Sequence, residues 1–160
     1  MVEQDQFRQV MGNFATGVTV VTTTVDGDDH AMTVNSFASV SLDPPLVLFN
    51  ADKGTTSHDL IAESERYAVN VLSAEQEWLS NRFAGEHKEM DDPWEDVTFR
   101  REATGSPIVE EAICYMDCTL TESYDGGDHT IYLGHVEEMG VQEPDAAPLT
   151  FFRGQYGTIE

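Results

Sequence analysis

The stretch "MTVNSFASVSLDPPLVLFNADKGTTSHDL", Met32 to Leu60, decides how the chain is read. It opens with the alternation of a strand, yet its polar members are short: Thr33, Asn35, Ser36, Ser39 and Ser41. In one strand from Met32 to Ser41, the pleat sends Met32, Val34, Ser36, Ala38 and Val40 to one face and Thr33, Asn35, Phe37, Ser39 and Ser41 to the other. The first face suits a core. The second sets an aromatic ring among hydrogen-bonding groups, and is either solvated or turned toward a polar ligand. A merely solvated strand in this chain would be expected to carry the aspartates and glutamates that its neighbours carry.

Pro44 and Pro45 mark the entrance to the next strand, where missing ladder donors matter least, and Leu46 to Phe49 is its apolar run. The segment then turns at "DKGTTS" into a helix, with Thr56 or Ser57 as the expected N-cap, Asp59 in the first turn, and Leu60 and Ile61 to bury. Lys53 stands directly before the glycine. Backbone N–H groups, hydroxyls and an ammonium together can hold a phosphate, although a nucleotide-binding loop would carry more glycines and place its lysine after them. Ordinary capping of the helix is the competing reading.

Outward from this stretch the pattern stays mostly β. "VTVVTTTV" is rich in β-branched residues and is followed by "DGDDH", a hairpin turn signal. "RYAVNVLS" is another strand, and the last third supplies two or three more around Gly126-Gly127. Phe7, Val10, Met11 and Phe14 fall at helical spacing, with their stripe expected against a barrel or a partner. "AEQEWLSNRFAG" is a short helix carrying Trp78, Leu79 and Phe83. "EHKEMDDPWED", Glu86 to Asp96, is acidic and broken by Pro93, and is expected to be a mobile excursion with Trp94 as its anchor. About six strands and three short helices fit a small antiparallel barrel with helices at its rim. No G-x-G-x-x-G sequence follows a strand, so a doubly wound nucleotide fold lacks its device.

Composition narrows the function. The 160 residues suit one domain, residues 1–160, and 40% are hydrophobic, as in an ordinary folded protein. Thirty acids against eight lysines and arginines give a net charge of -22. The acids are spread along the chain, and Lys53 and Lys88 are its only lysines, the signature expected of a surface adapted to concentrated salt. Nucleic acid and anionic membranes are disfavoured as partners. No apolar run approaches the roughly 20 residues of a membrane span and the N-terminus has no signal pattern, so a cytoplasmic protein is expected. Cys114 and Cys118 share one face of a strand and are expected to be buried free thiols. Neither an H-e-x-x-H type of metal site, nor paired C-x-x-C sequences, nor a G-x-S-x-G nucleophile elbow is present, so no metal ligands are assigned.

The polar strand and the Lys53 turn together describe a long amphipathic ligand, with a flat polar ring at one end, hydroxyls along a chain and phosphate at the other. Flavin mononucleotide has that shape. "FATGVTVVTT", "MTVNSFASVSLDPPLVLF", "YAVNVLSAEQ", "NRFAG", "GSPIVEEA", "GDHTIYLGHV" and "PLTFFRGQYG", in this order, resemble the short-chain flavin reductase family from about Phe7 to Tyr156. The resemblance implies an FMN-binding split β-barrel, six-stranded and antiparallel with short peripheral helices. It also implies a homodimer that oxidises NADH or NADPH, reduces FMN or FAD, and hands reduced flavin to a monooxygenase. A non-reductase FMN-binding redox or electron-transfer protein, and a split-barrel oxidase that retains FMN, remain the alternatives.

Carried over residue by residue, the resemblance places Thr33, Asn35, Ser36 and Phe37 beside the flavin ring and ribityl chain, with Ser39 and Ser41 toward the ribityl-phosphate end. Ser36 lies on the opposite strand face, so a twist or bulge near it is required if its hydroxyl meets the flavin. Ala51 and Asp52 are expected to touch the flavin through main-chain atoms, with the Asp52 carboxylate capping the turn, and Lys53 and Thr56 to lie near phosphate. His129 is expected near flavin and nicotinamide as the catalytic residue. Arg82 is a second phosphate or pyridine-nucleotide candidate. Arg153 is assigned to the flavin edge or the barrel rim, and Tyr156 to covering a ring. His30, His58, His87 and His135 are expected to be local, structural histidines. The acidic excursion after Gly85 departs from the family pattern.

Overall fold

A computed structural model describes residues 1–159. Its elements are α1 (Gln4–Met11), β1 (Thr16–Gly17), β2 (Thr19–Val25), β3 (Asp28–Val34), β4 (Phe37–Leu42), β5 (Pro45–Asp52), α2 (Thr56–Ser64), β6 (Arg66–Val71), α3 (Glu77–Phe83), β7 (Phe99–Arg101), β8 (Pro107–Val109), β9 (Cys114–Gly126), β10 (His129–Val141), β11 (Thr150–Phe152) and β12 (Gln155–Gly157). Seven of the strands make one antiparallel sheet in the order β3-β2-β6-β9-β10-β5-β4. That is one strand more than the six expected.

The excess comes from the opening stretch. Met32 to Ser41 is not one strand: β3 ends at Val34, the chain bends through Asn35 and Ser36, and β4 begins at Phe37. Strands two residues apart in sequence therefore occupy opposite edges of the sheet, which is possible only because the sheet rolls until its edges meet. The junction is stitched at that bend, where the Asn50 N–H donates to the Ser36 carbonyl (3.1 Å) and the Ser36 hydroxyl to the Asn50 carbonyl (3.3 Å). A further irregularity falls in the β4–β5 register between Ser39 and Ser41. The alternation of faces expected along the whole stretch thus holds only as far as Val34.

The rolled sheet encloses a core of Val21, Val34, Phe49, Tyr67, Val69 and Tyr132, among others, with Ile61 of α2 closing one end. Phe49 meets Tyr67 edge-on at 4.8 Å between ring centres, and Tyr132 at 5.6 Å. Burying each such ring is worth roughly 1.5–3 kcal/mol. A second cluster, including Val20, Ala31, Leu72, Leu79 and Phe83, lies outside the sheet under α3. Between the two, β2 is buried on both faces from Thr19 to Thr23, which explains its uninterrupted β-branched run. Its hydroxyls are satisfied: Thr19 donates to the Val34 carbonyl (2.7 Å), Thr22 to that of Pro107 (2.6 Å) and Thr23 to that of Arg66 (2.8 Å). The β2–β3 turn uses Asp26 and Gly27 at φ of 52° and 83°, the paired positive values of the tight hairpin that "DG" announces.

One other expectation changes. The segment from Glu86 to Asp96 is packed, not free: Trp94 stacks within 5.1 Å of Phe83 and 5.2 Å of Phe99, and its Nε1–H donates to the Asp29 carbonyl (3.1 Å). The α1 stripe, expected against the barrel or a partner, meets the barrel only across an open cavity, with Phe7, Val10, Met11 and Phe14 each more than half exposed. Cys114 and Cys118 are free thiols on β9, the latter fully buried, and burial raises both above the ordinary thiol value.

Candidate active site

The bend at Asn35-Ser36 separates two cavities that share those two residues and Asn50. The first, of about 520 Å³, lies between β3, the turn from β5 into α2, the segment after α3, and the start of β10. Thr33, Asn35, Ser36, Asp52, Thr56 and His129 line it together. They come from three separated stretches, brought together because β10 pairs with β5 in a register that sets His129 opposite Asp52. The second cavity, of about 1030 Å³, is apolar; Phe7, Met11 and Phe14 of the α1 region face Phe37, Leu48 and Phe151 across it.

The turn that ends β5 is built as a helix entrance. Asp52 Oδ1 accepts from the Gly54 N–H (2.8 Å), and Thr55, instead of Thr56 or Ser57, is the N-cap, its hydroxyl accepting from the His58 N–H (3.3 Å). That leaves the Thr56 side chain on the cavity wall beside the N-terminal end of a nine-residue helix, where backbone dipoles favour an anion. Asn35 and Asn50 line this cavity as well as the second, and Thr33, whose hydroxyl donates to the Ser80 carbonyl (2.6 Å), keeps its oxygen lone pairs.

His129 is half-buried, and the Asp128 carboxylate bonds its Nδ1 at 2.7 Å. The bond holds the Asp128 carboxyl below the usual aspartate value and fixes the ring so that Nε2 is the atom left for a ligand. Of the acids on the wall, Asp29 is engaged by both Nη atoms of Arg101 (2.8 Å each) and by the Thr24 hydroxyl (2.6 Å). Burial would raise the Asp29 carboxyl, but these partners outweigh it and hold it below the ordinary value. Its negative charge is therefore compensated within the wall.

Other expected site residues fall elsewhere. Lys53 does not line the cavity; its ammonium bonds the Asp125 carboxylate on the neighbouring hairpin. Arg82 is held by the Pro93 and Glu95 carbonyls and lies 5.0 Å over Trp78, so it ties down the acidic segment. Arg153 Nε donates to Asn13 (2.9 Å) and its N–H to the Gly12 carbonyl (2.8 Å), which puts it at the rim beside α1. Tyr156 shares a 2.7 Å hydrogen bond with Ser80 and packs edge-on against Phe151. Ala51 is fully buried and lines neither cavity, so the main-chain contact expected of it has no exposed surface. Phe37 faces the second cavity, and Ser39 and Ser41 on β4 line neither. In their place the first cavity gains His30, His87 and Lys88. His30 and His87 carry no motif that would have singled them out, whereas Lys88 has the signal of rarity, being one of two lysines. His58 and His135 are local, bonded to Thr130 and Glu137 respectively.

A rolled antiparallel sheet with short peripheral helices and a polar cleft at its edge junction defines the class of small β-barrel proteins. Residues 11–160 match the flavin reductase like domain, and the chain belongs to that family. It is 40% identical over 160 residues to the reductase subunit HsaB of a flavin-dependent monooxygenase from Mycobacterium tuberculosis, covering 99% of this chain and 84% of that protein. It is 41% identical over 151 residues to the FMN reductase (NADH) SmoA of Agrobacterium fabrum, covering 94% and 83%. The NADH:FAD oxidoreductase SgcE6 of Streptomyces globisporus, solved in complex with NAD and FAD fragments, superposes with a TM-score of 0.91 at 35% identity, covering 99% of this chain and 93% of that one.

Proposed function

We propose that this protein is an NADH- or NADPH-dependent flavin reductase, a cytoplasmic homodimer whose residues 1–160 form one FMN-binding split-barrel domain. Reduced FMN or FAD then passes to a monooxygenase. The convergence of Thr33, Asn35, Ser36, Asp52, Thr56 and His129 on one cavity of about 520 Å³ carries this conclusion, since that volume lies within the range of small-ligand sites. The names of its relatives supply the direction of the chemistry: a monooxygenase reductase subunit, and an NADH-dependent FMN reductase.

The residues present fit a flavin. Asn35 and Asn50 offer amide donors and acceptors to a heteroaromatic ring, and the Thr56 turn suits its phosphate. When bound, the flavin supplies a hydride acceptor and the nicotinamide a hydride donor, so no protein nucleophile is needed. The protein's own task is to hold two flat rings with reacting atoms roughly 3–3.5 Å apart and to exclude water from between them. His129, fixed by Asp128 on the cavity wall, would bond a nicotinamide amide or donate toward the edge of the ring where charge gathers.

The dimer has its own support. Phe14 is 72% exposed and Leu42 on β4 98% exposed, while the rest of the α1 stripe is bare. Several large apolar side chains left exposed on one short helix support a contact between chains. Two free cysteines on one strand fit a reducing compartment, and no described helix is long and apolar enough to cross a membrane.

Purified protein titrated anaerobically with NADH and NADPH, with FMN or FAD added, is expected to bleach flavin absorbance at 450 nm catalytically. A bound yellow cofactor that neither nucleotide reduces would favour an electron-transfer protein. His129→Ala is expected to lower NADH oxidation at least tenfold while FMN affinity changes less than threefold, of the order of the loss of one positioned hydrogen bond. Equal losses in rate and affinity would remove His129 from the nicotinamide side.

A further inference from the structure

The protein carries a net charge of -22 with only two lysines and five histidines, yet Lys88 and three of those histidines line the first cavity. Of the two acids on that wall, Asp29 is neutralised by Arg101, and the Asp52 carboxylate is turned into its own loop, where it accepts from the Gly54 N–H, so one uncompensated acid stands against four basic side chains. The cations that the sequence points to are also committed: Lys53 to Asp125, Arg82 to the carbonyls of Pro93 and Glu95, and Arg153 to Asn13.

We infer that His30, His87 and Lys88 form an anion subsite of the cleft, facing the Thr55–Ser57 turn, that receives a phosphate group of the bound nucleotide. The inference rests on the flavin reductase reading above and adds residues to its binding site.

Geometry supports the assignment at each member. His87 Nδ1 lies 3.0 Å from the Arg82 carbonyl, which can only accept, so Nδ1 carries the proton and Nε2 is the atom left for a ligand. Its ring is steadied 5.7 Å from that of Phe83. His30 follows Asp29 on β3, where the Arg101 clamp and the Trp94 indole hold the backbone. Lys88 sits one residue beyond His87 on a short turn, Glu86–Glu89, which is tied to the body through Arg82 and Trp94. A phosphate entering here meets an ammonium and imidazoles on one wall and helix N–H groups on the other.

The phosphate has two possible sources, the flavin or the nicotinamide dinucleotide, and one experiment separates them. Kd for riboflavin, FMN and FAD is measured by fluorescence quenching, and KM for NADH at saturating flavin, for the native protein, Lys88→Ala, Lys88→Arg, His87→Asn with His30→Asn, and Lys53→Ala. Loss of the Lys88 charge is expected to weaken the phosphate-bearing ligand about tenfold, with riboflavin unmoved and Lys88→Arg largely restored. A rise in Kd for FMN and FAD alone assigns the flavin phosphate; a rise in the NADH KM alone assigns the dinucleotide; either supports the subsite. Unchanged constants in Lys88→Ala and in the double histidine variant overturn it. So does an equal loss for riboflavin and FMN, or a shift in FMN over riboflavin that Lys53→Ala alone produces. A native protein that fails to oxidise NADH with added flavin would instead sink the reductase reading, while its FMN-to-riboflavin ratio would still report on the subsite.

Discussion

Gly134 shows how tightly single residues are fitted. A Cβ built there would stand 2.2 Å from the Tyr67 hydroxyl and 2.7 Å from the ring carbon that bears it, and Tyr67 is fully buried. The register of β9 against β10 shifts at the same place, between Leu133 and Gly134. Glycine is therefore required so that the ring of one strand can cross the backbone of another. Gly134→Ala is expected to destabilise the fold by about 3 kcal/mol through overpacking, seen as a lower urea midpoint with an unchanged slope. Tyr67→Phe, which removes a buried hydroxyl that lacks a partner among the described residues, should leave stability unchanged or slightly raised. A loss in Tyr67→Phe comparable to that in Gly134→Ala would mean the hydroxyl is satisfied. Within the site, chemistry legible from single residues was partial. Asp52 closes the "DKGTT" turn as its residue type suggests, but no local feature tells that Lys53 is drawn to Asp125, 72 positions away, or that His87 turns toward the cleft.

At the scale of elements, the hairpin of β2 and β3, the helix after Lys53, and the long β9–β10 pair were all readable from β-branched runs, glycine turns and capping residues. The bend at Asn35-Ser36 was not, because asparagine and serine are tolerated in strands and turns alike and the alternation on either side continues unbroken. Only pairing with Asn50 across the rolled sheet makes it a break. The acidic segment was misjudged for a related reason: its composition is that of a solvated loop, and one aromatic residue overrides it. Trp94 fills the space between Phe83 and Phe99 and hydrogen-bonds Asp29, so the segment becomes a wall of the cleft. Trp94→Ala is expected to cost about 3 kcal/mol, the low end for removing a large aromatic from a cluster, because the indole is only partly buried. The same change should raise KM for NADH several-fold with kcat altered less, since the wall and not the reacting centre is disturbed. Stability loss with unaltered kinetics would place the segment outside the site.

The whole molecule poses an electrostatic question that neither the fold nor the cleft answers. Even if each of its eight lysines and arginines engaged an acid, most of the 30 carboxylates would remain uncompensated on a chain of 160 residues. Among the described residues the lysine and arginine ion pairs are Asp5 with Arg8 and Glu102 with Arg100, close in sequence, and Asp125 with Lys53 and Asp29 with Arg101, across the fold. Only the last has its carboxylate well sheltered, and exposed pairs contribute little. Folding gathers these charges at closer spacing than the unfolded chain does, so their repulsion acts against the native state. Dimerisation through the bare α1 face would concentrate them further while removing apolar surface from water. Salt changes this balance: the screening length falls from about 10 Å at 0.1 M to about 3 Å at 1 M, shorter than most separations between surface acids. The midpoint of thermal unfolding is therefore expected to climb steadily as KCl is raised from about 0.1 M to 2 M, with the fold loosening below roughly 0.5 M. NaCl should act equally, since the effect is one of ionic strength. A midpoint indifferent to either salt across that range would mean that the acids are held far enough apart for their repulsion to be small at any ionic strength, and that the composition reflects something other than adaptation to brine.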